Sequence, residues 1–106
     1  MSEFIEDGYP TNKALNLIEK WDFQKDNICY FLEFIEKCWN YADCGGYVRT
    51  GKWVINLKLH TFGWSGNEDI IRAMMRNKVF WFMCWHKSVR GGHYWFIIKT
   101  KSWEGK

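Results

Sequence analysis

The sequence predicts an α+β fold: an antiparallel sheet of three to four strands with about three helices, mainly on one face. Three observations point there. Helical spacing of apolar residues dominates the first forty positions, strict alternation runs from Trp53 to His60, and ring-rich, β-branched segments flank Arg90-Gly91-Gly92. With 106 residues the chain forms one domain, 1–106, long enough to bury a core without disulfide or metal staples.

Residues 1–8 are acidic and lack periodicity, which predicts a loose or draped end. Pro10 bars helix before it and Thr11 is a suitable cap, so a short amphipathic helix follows through Ala14, Leu15, Leu17, Ile18 and Trp21. After a break at 22–27, Ile28, Phe31, Leu32, Ile35, Cys38 and Trp39 define a stronger helical stripe, capped by Asp26 or Asn27. Tyr30, Phe34 and Tyr41 widen its apolar girth. Asp43-Cys44-Gly45-Gly46 stops that helix, and Tyr47-Val48-Arg49 reads as a short edge strand joined through Thr50-Gly51 to the next.

Trp53, Ile55, Leu57 and Leu59 alternate with Val54, Asn56, Lys58 and His60, the pattern of a strand with one wet face. Ser65-Gly66-Asn67-Glu68 has the spacing of a reciprocal capping box, so a helix begins at Ser65. Ile70, Ile71, Ala73, Met74 and Met75 give it an apolar side, Glu68, Arg72 and Arg76 a charged row, and Asn77 a stop in the left-handed conformation. Val79 to His86 is apolar at nearly every position and reads as a central strand covered on both sides. His93 to Lys99 supplies its antiparallel partner. Two registers are open: a loop centred on Val89-Arg90 pairs His86 with His93, and one using Gly91-Gly92 does not.

Aromatic residues make up 20% of the chain, including eight Trp, so rings either fill the core of a short chain or stand ready for stacking and partner contact. Charge is uneven. Residues 1–48 carry four Lys against nine Asp or Glu, hence −5, while residues 49–106 carry eleven Lys or Arg against three acids, hence +8. Such asymmetry marks an interaction surface or acidic helices lying against a basic sheet. Cys29, Cys38, Cys44 and Cys84 lack metal or redox spacing, and the chain shows neither a signal peptide nor eighteen consecutive apolar residues. Free thiols, a reducing cytoplasm and no membrane contact are expected.

Chemistry concentrates at two corners. Gly66 and Asn67 lie at a predicted helix start, where free amides favour anions. Arg90, Gly91, Gly92 and His93 offer a guanidinium, exposed amides and an imidazole, while Trp64 and Tyr94 offer stacking faces. Together these are the parts of a phosphate or nucleotide pocket, although capping alone explains 65–68 and turn chemistry alone explains Gly91-Gly92. His60, His86, His93 and Cys84 have no recognised metal-ligand spacing, so neither a metal nor another cofactor is expected. No nucleophile motif or informative carboxylate pair is present, which favours a non-enzymatic role.

Tyr9-Pro10-Thr11 before a helix ending in Trp21, then Gly63-Trp64-Ser65-Gly66-Asn67-Glu68, then Trp85 and Arg90-Gly91-Gly92-His93-Tyr94, resembles a widespread group of short phage-encoded proteins with no assigned activity. Phe62 departs from the pattern, standing where a Gly is expected before Gly63. The resemblance implies a phage accessory protein of the host bacterial cytoplasm, a binding module antagonising a host defence component. It would mask a host protein or sequester a small anionic nucleotide. The alternatives are a nucleic-acid-binding protein using Arg49, Lys52, Lys58, Arg76, Lys87 and Lys99, and a small nucleotide hydrolase.

Overall fold

The structure, a computed structural model, describes residues 3–103. Its fold is α+β. A two-stranded hairpin, β1 (Ile5–Glu6) with β2 (Tyr9–Pro10), precedes α1 (Asn12–Glu19) and α2 (Ile28–Cys38). A 3-10 turn at Ala42–Cys44 leads into β3 (Tyr47–Thr50) and β4 (Val54–His60). Then come α3 (Ser65–Arg76), α4 (Lys78–Cys84), β5 (Trp85–Val89), β6 (His93–Lys99) and a final 3-10 turn, Thr100–Trp103. The main sheet has the order β3-β4-β6-β5 and every neighbouring pair is antiparallel.

Alternation decides which face is covered. Tyr47, Ile55, Leu57, Leu59, Phe96 and Ile98 are all buried and share one side of the sheet. Against that side lie the helical stripes: Ala14 and Ile18 of α1, Ile28, Phe31, Leu32 and Ile35 of α2, Ile70, Ile71 and Met74 of α3, and Phe80 of α4. Phe80 bridges the layers, its ring 4.8 Å from Phe31 and 5.5 Å from Phe96. The Tyr47 hydroxyl adds a buried polar tie by donating to the Leu32 carbonyl at 3.0 Å. Within these strands, Val48, Val54 and Asn56 on the other side are exposed.

Both amino-terminal helices begin as their caps dictate. Thr11 Oγ1 accepts from the Ala14 amide at 3.2 Å, and Asn27 Oδ1 from the Cys29 amide at 2.7 Å. Of the end expected to be loose or draped, Met1 and Ser2 lie outside the described residues. From residue 3 onward, Phe4 packs edge-on to Phe34 at 5.0 Å, and Ile5–Glu6 pairs with Tyr9–Pro10, where Tyr9 stacks on Trp64 at 4.8 Å.

Three local expectations are corrected. The capping box at Ser65 does not form, because Trp64 takes the cap position and makes no side-chain cap bond. The Thr61 carbonyl fixes that earlier start by accepting from the Trp64 amide at 2.9 Å. Asn77 ends α3 at φ −79, not in the left-handed region, because its side chain is already committed. Its Oδ1 caps α4 through the Phe80 amide at 3.3 Å, and its Nδ2 donates to the Ile18 carbonyl at 2.9 Å.

The third correction is the largest: the apolar run from Val79 is no central strand but the helix α4, with β5 at the sheet edge. Burial follows i, i+4 at Phe80 and Cys84, while Phe82 is 92% exposed. A continuous apolar run lacks the periodicity that separates a short helix from a strand. The Asn77 cap settles it for helix.

Candidate functional site

Thr61 is where the two chemistry-rich corners meet. It is fully buried, donates its amide to the Gly92 carbonyl at 3.0 Å, and offers Oγ1 to the Gly63 amide at 3.3 Å. A Cβ on Gly92 would fall 2.1 Å from that Oγ1, and Gly92 has φ +84, so only glycine lets the β5–β6 turn approach so closely.

The start of α3 is nevertheless spent on internal contacts. Asn67 is 1% exposed; its Oδ1 accepts from the Asn40 amide at 2.9 Å, and its Nδ2 donates to the Asn40 and Thr61 carbonyls at 2.9 and 3.4 Å. Gly66 lies under Tyr9, Pro10 and the Trp64 indole, all within 3.1 Å of where a Cβ would sit. Trp64 donates Nε1 to the Gly8 carbonyl at 3.4 Å. Gly66 and Trp64 thus tie the amino-terminal hairpin to α3, and Asn67 ties the segment after α2 to it. Tyr94 belongs to the covered side, paired with Leu59 and edge-on to Trp81 at 6.4 Å. Arg90, Gly91 and Gly92 form the turn between Val89 and His93, with Arg90 and Gly91 exposed. His86 does not pair with His93; it sits at a register shift between Trp85 and Lys87.

That shift has a chemical result. Trp85 lies opposite Phe96 on the covered side, and without an inserted residue Lys87 would follow it there. Instead Lys87 pairs with Trp95, which pairs in turn with Lys58, so a row on the outer face reads Val48, Lys58, Trp95, Lys87 across all four strands. The Lys87 ammonium lies 4.6 Å from the Trp95 ring centroid and that of Lys58 5.5 Å, distances at which a cation is attracted to the indole face.

The next row continues the rings. His93 stands opposite His60, and their imidazoles stack at 4.0 Å with an interplanar angle of 18°. His93 is also roughly parallel to Trp95 at 6.0 Å, and His60 lies 4.2 Å from Phe62. Phe62 meets Tyr41 edge-on at 5.9 Å. Beside that pair is an open hollow of about 350 Å³ lined by Tyr41, Cys44 and Phe62. Phe62 occupies the left-handed region at φ 56, which glycine would enter without strain, and its ring is substantially exposed.

Electrostatically the face is one-signed. Strands β3, β4, β5 and β6 contain no Asp or Glu, and Lys58, Lys87 and Lys99 all register on the outer side. Burial, and then the neighbouring His60 and Lys58, push the His93 imidazole below its ordinary value, which favours its neutral form. Its Nδ1 is shielded from solvent and has no hydrogen-bond partner among the described residues. Acidic Glu19, Glu33 and Glu36 lie on α1 and α2 in the opposite layer.

Of the residues proposed from sequence for the nucleotide pocket, only the turn and His93 border this outer face. Trp95, His60 and Phe62 were missed as ligand contacts, although Trp95 carried a signal: it alternates with buried Phe96 and Ile98. Lys58 and Lys87 figured only as phosphate contacts. Among the described residues no three His, Cys, Asp or Glu side chains are grouped to hold a metal. All four cysteines are free thiols, and burial pushes Cys38 up to about 11 and Cys84 up to about 12. No described helix is long and apolar enough to cross a membrane. Comparison with known proteins returns no matching family model, no similar curated protein and no similar solved structure.

Proposed function

We propose that the protein is a non-enzymatic binding module whose working surface is the outer sheet face, and that its ligand is an anion bearing planar rings. One observation carries this reading: Trp95 is flanked by the Lys58 and Lys87 ammonium groups and continues through His93 and His60 to Phe62 on a side left open by the helices. Stacking and positive charge in alternation are the means of nucleotide recognition. An arriving ring displaces a lysine from the indole, and the released ammonium then pairs with phosphate. The likeness to phage proteins supplies the biological sense: a module that captures a nucleotide-bearing host signal without converting it acts as an antagonist. Calorimetry against mononucleotides, oligonucleotides and a ring-free polyanion tests the reading. Ring-bearing anions should bind and be recovered intact, and Trp95→Ala should weaken them; silence toward all of them, or the appearance of product, sinks it.

A second reading, masking of a host protein, is favoured by α4. Val79, Phe82 and Met83 line one exposed edge of that helix, beside an open apolar groove of about 500 Å³. Capture of a host protein that Phe82→Ser abolishes and Trp95→Ala spares would favour it.

A further inference from the structure

We infer that the ligand of the outer face is a single strand of nucleic acid, held across at least two consecutive nucleotides; this rests on the binding-module reading above. A mononucleotide is ordinarily held in an enclosing cleft that buries most of its surface. Here the recognition groups lie along a flat sheet, and their rings step 6.0, 4.0 and 4.2 Å from Trp95 through His93 and His60 to Phe62. That course is longer than one base.

Charge placement agrees with a polymer. Lys58 on β4 and Lys87 on β5 are separated by β6, hence about 10 Å apart at the backbone from strand spacing. Phosphates along one strand recur every few ångströms, so the two ammonium groups reach phosphates on either side of a base lying on Trp95. Lys99 continues the line at the far end of β6, and exposed Arg90 sits in the turn beside His93. Between residues 45 and 103 the only acids are Glu68 and Asp69, both on α3.

Ring faces select against a duplex, because paired and stacked bases keep their faces hidden, whereas a single strand can present one to the Trp95 indole. Three or four phosphate contacts, at about 0.7 per contact for single strands, give a slope of log affinity against log salt of about −2 to −3.

The test is fluorescence anisotropy with labelled twelve-residue dT and rU strands, the corresponding duplexes, and mononucleotides and heparin as competitors. Expected are single-strand affinity at least about tenfold above duplex and mononucleotide, the salt slope above, and a loss of about tenfold for Trp95→Ala from one base stack. The dT and rU arms show whether the sugar matters. Exposed Lys87→Glu serves as a second variant independent of packing, and must also weaken binding. A mononucleotide bound as tightly as the strand, with Trp95→Ala and Lys87→Glu weakening both, overturns the single-strand inference and leaves the binding-face reading standing. Equal binding of duplex and single strand with Trp95→Ala indifferent overturns the inference and the stacking role together. Absence of binding by any ring-bearing anion removes both readings.

Discussion

Across the β4–β6 ladder the imidazoles of His60 and His93 stack 4.0 Å apart, each within reach of a further ring, Phe62 for His60 and Trp95 for His93. Burial, with His60 and Lys58 beside it, makes the His93 imidazole resist protonation. This makes the face sensitive to pH and to anions.

The first consequence is for stability. His93 is held below its ordinary 6.5 by burial and by His60 and Lys58, with Val89 opposite it on β5 contributing no charge. In the window from about 6.5 down to the folded value the unfolded chain binds more protons, so stability falls as pH drops through it and is unaffected above. Urea midpoints at pH 7.5 and 5.5 should therefore differ less in His93→Phe, which keeps a ring but cannot titrate. An identical pH dependence in the variant would contradict the assignment.

An anionic ligand reverses the balance, because phosphate beside the imidazole favours its charged form. Binding should take up protons near pH 6 and tighten as pH falls from 7.5 to 6. Calorimetry in buffers of different ionisation enthalpy reads that uptake directly. Affinity that is flat or weakens over this range would place the phosphates away from His93.

Phe62 separates stability from binding. Replacement by Gly relieves its left-handed backbone while removing its ring, whereas Ala removes the ring and keeps the strain. Phe62→Gly should therefore be more stable than Phe62→Ala by about 1 kcal/mol, and both should lose ligand affinity to a similar degree. Denaturant melts paired with titrations check this, and equal stability of the two variants would mean the backbone carries no strain there.

The contact of Gly92 with Thr61 sets the position of the β5–β6 turn. Gly92→Ala drives a methyl group into Thr61 Oγ1 at a positive φ and should destabilise by about 3 kcal/mol. Gly91→Ala meets only the His93 ring, at 3.6 Å and beyond, and should cost about 1 kcal/mol. Reversal of that order in chemical denaturation would place the turn elsewhere.

Helix α4 makes a prediction that a central strand would not. Phe80 is buried and Phe82 almost wholly exposed, so Phe80→Ala should cost about 3–5 kcal/mol and Phe82→Ser less than about 0.5. The same pair shows how far the sequence could be read. The stripe of α2 was legible because each of Ile28, Phe31, Leu32, Ile35, Cys38 and Trp39 is indeed buried, and β4 because Ile55, Leu57 and Leu59 alternate with polar neighbours. Residues 79–86 gave no such pattern, and the cap that decides their conformation reaches back to Ile18, 59 residues away. The binding face was only partly visible. Lys58, Trp95 and Lys87 come from three strands and align only because of a one-residue irregularity at His86, which leaves no mark in local spacing. Asn67 and Gly66 look like anion ligands in isolation; Asn40, Tyr9 and Pro10, distant in sequence, claim them instead.

The central claim is that the outer sheet face is the working surface, and chemical-shift mapping on titration with a short single-stranded oligonucleotide tests it most directly. The account predicts perturbations concentrated at Lys58, His60, Lys87, His93 and the Trp95 indole, with Phe82 and Met83 unmoved. Shifts confined to Val79, Phe82 and Met83 on α4, or to Gly66 and Asn67 at the start of α3, would contradict it.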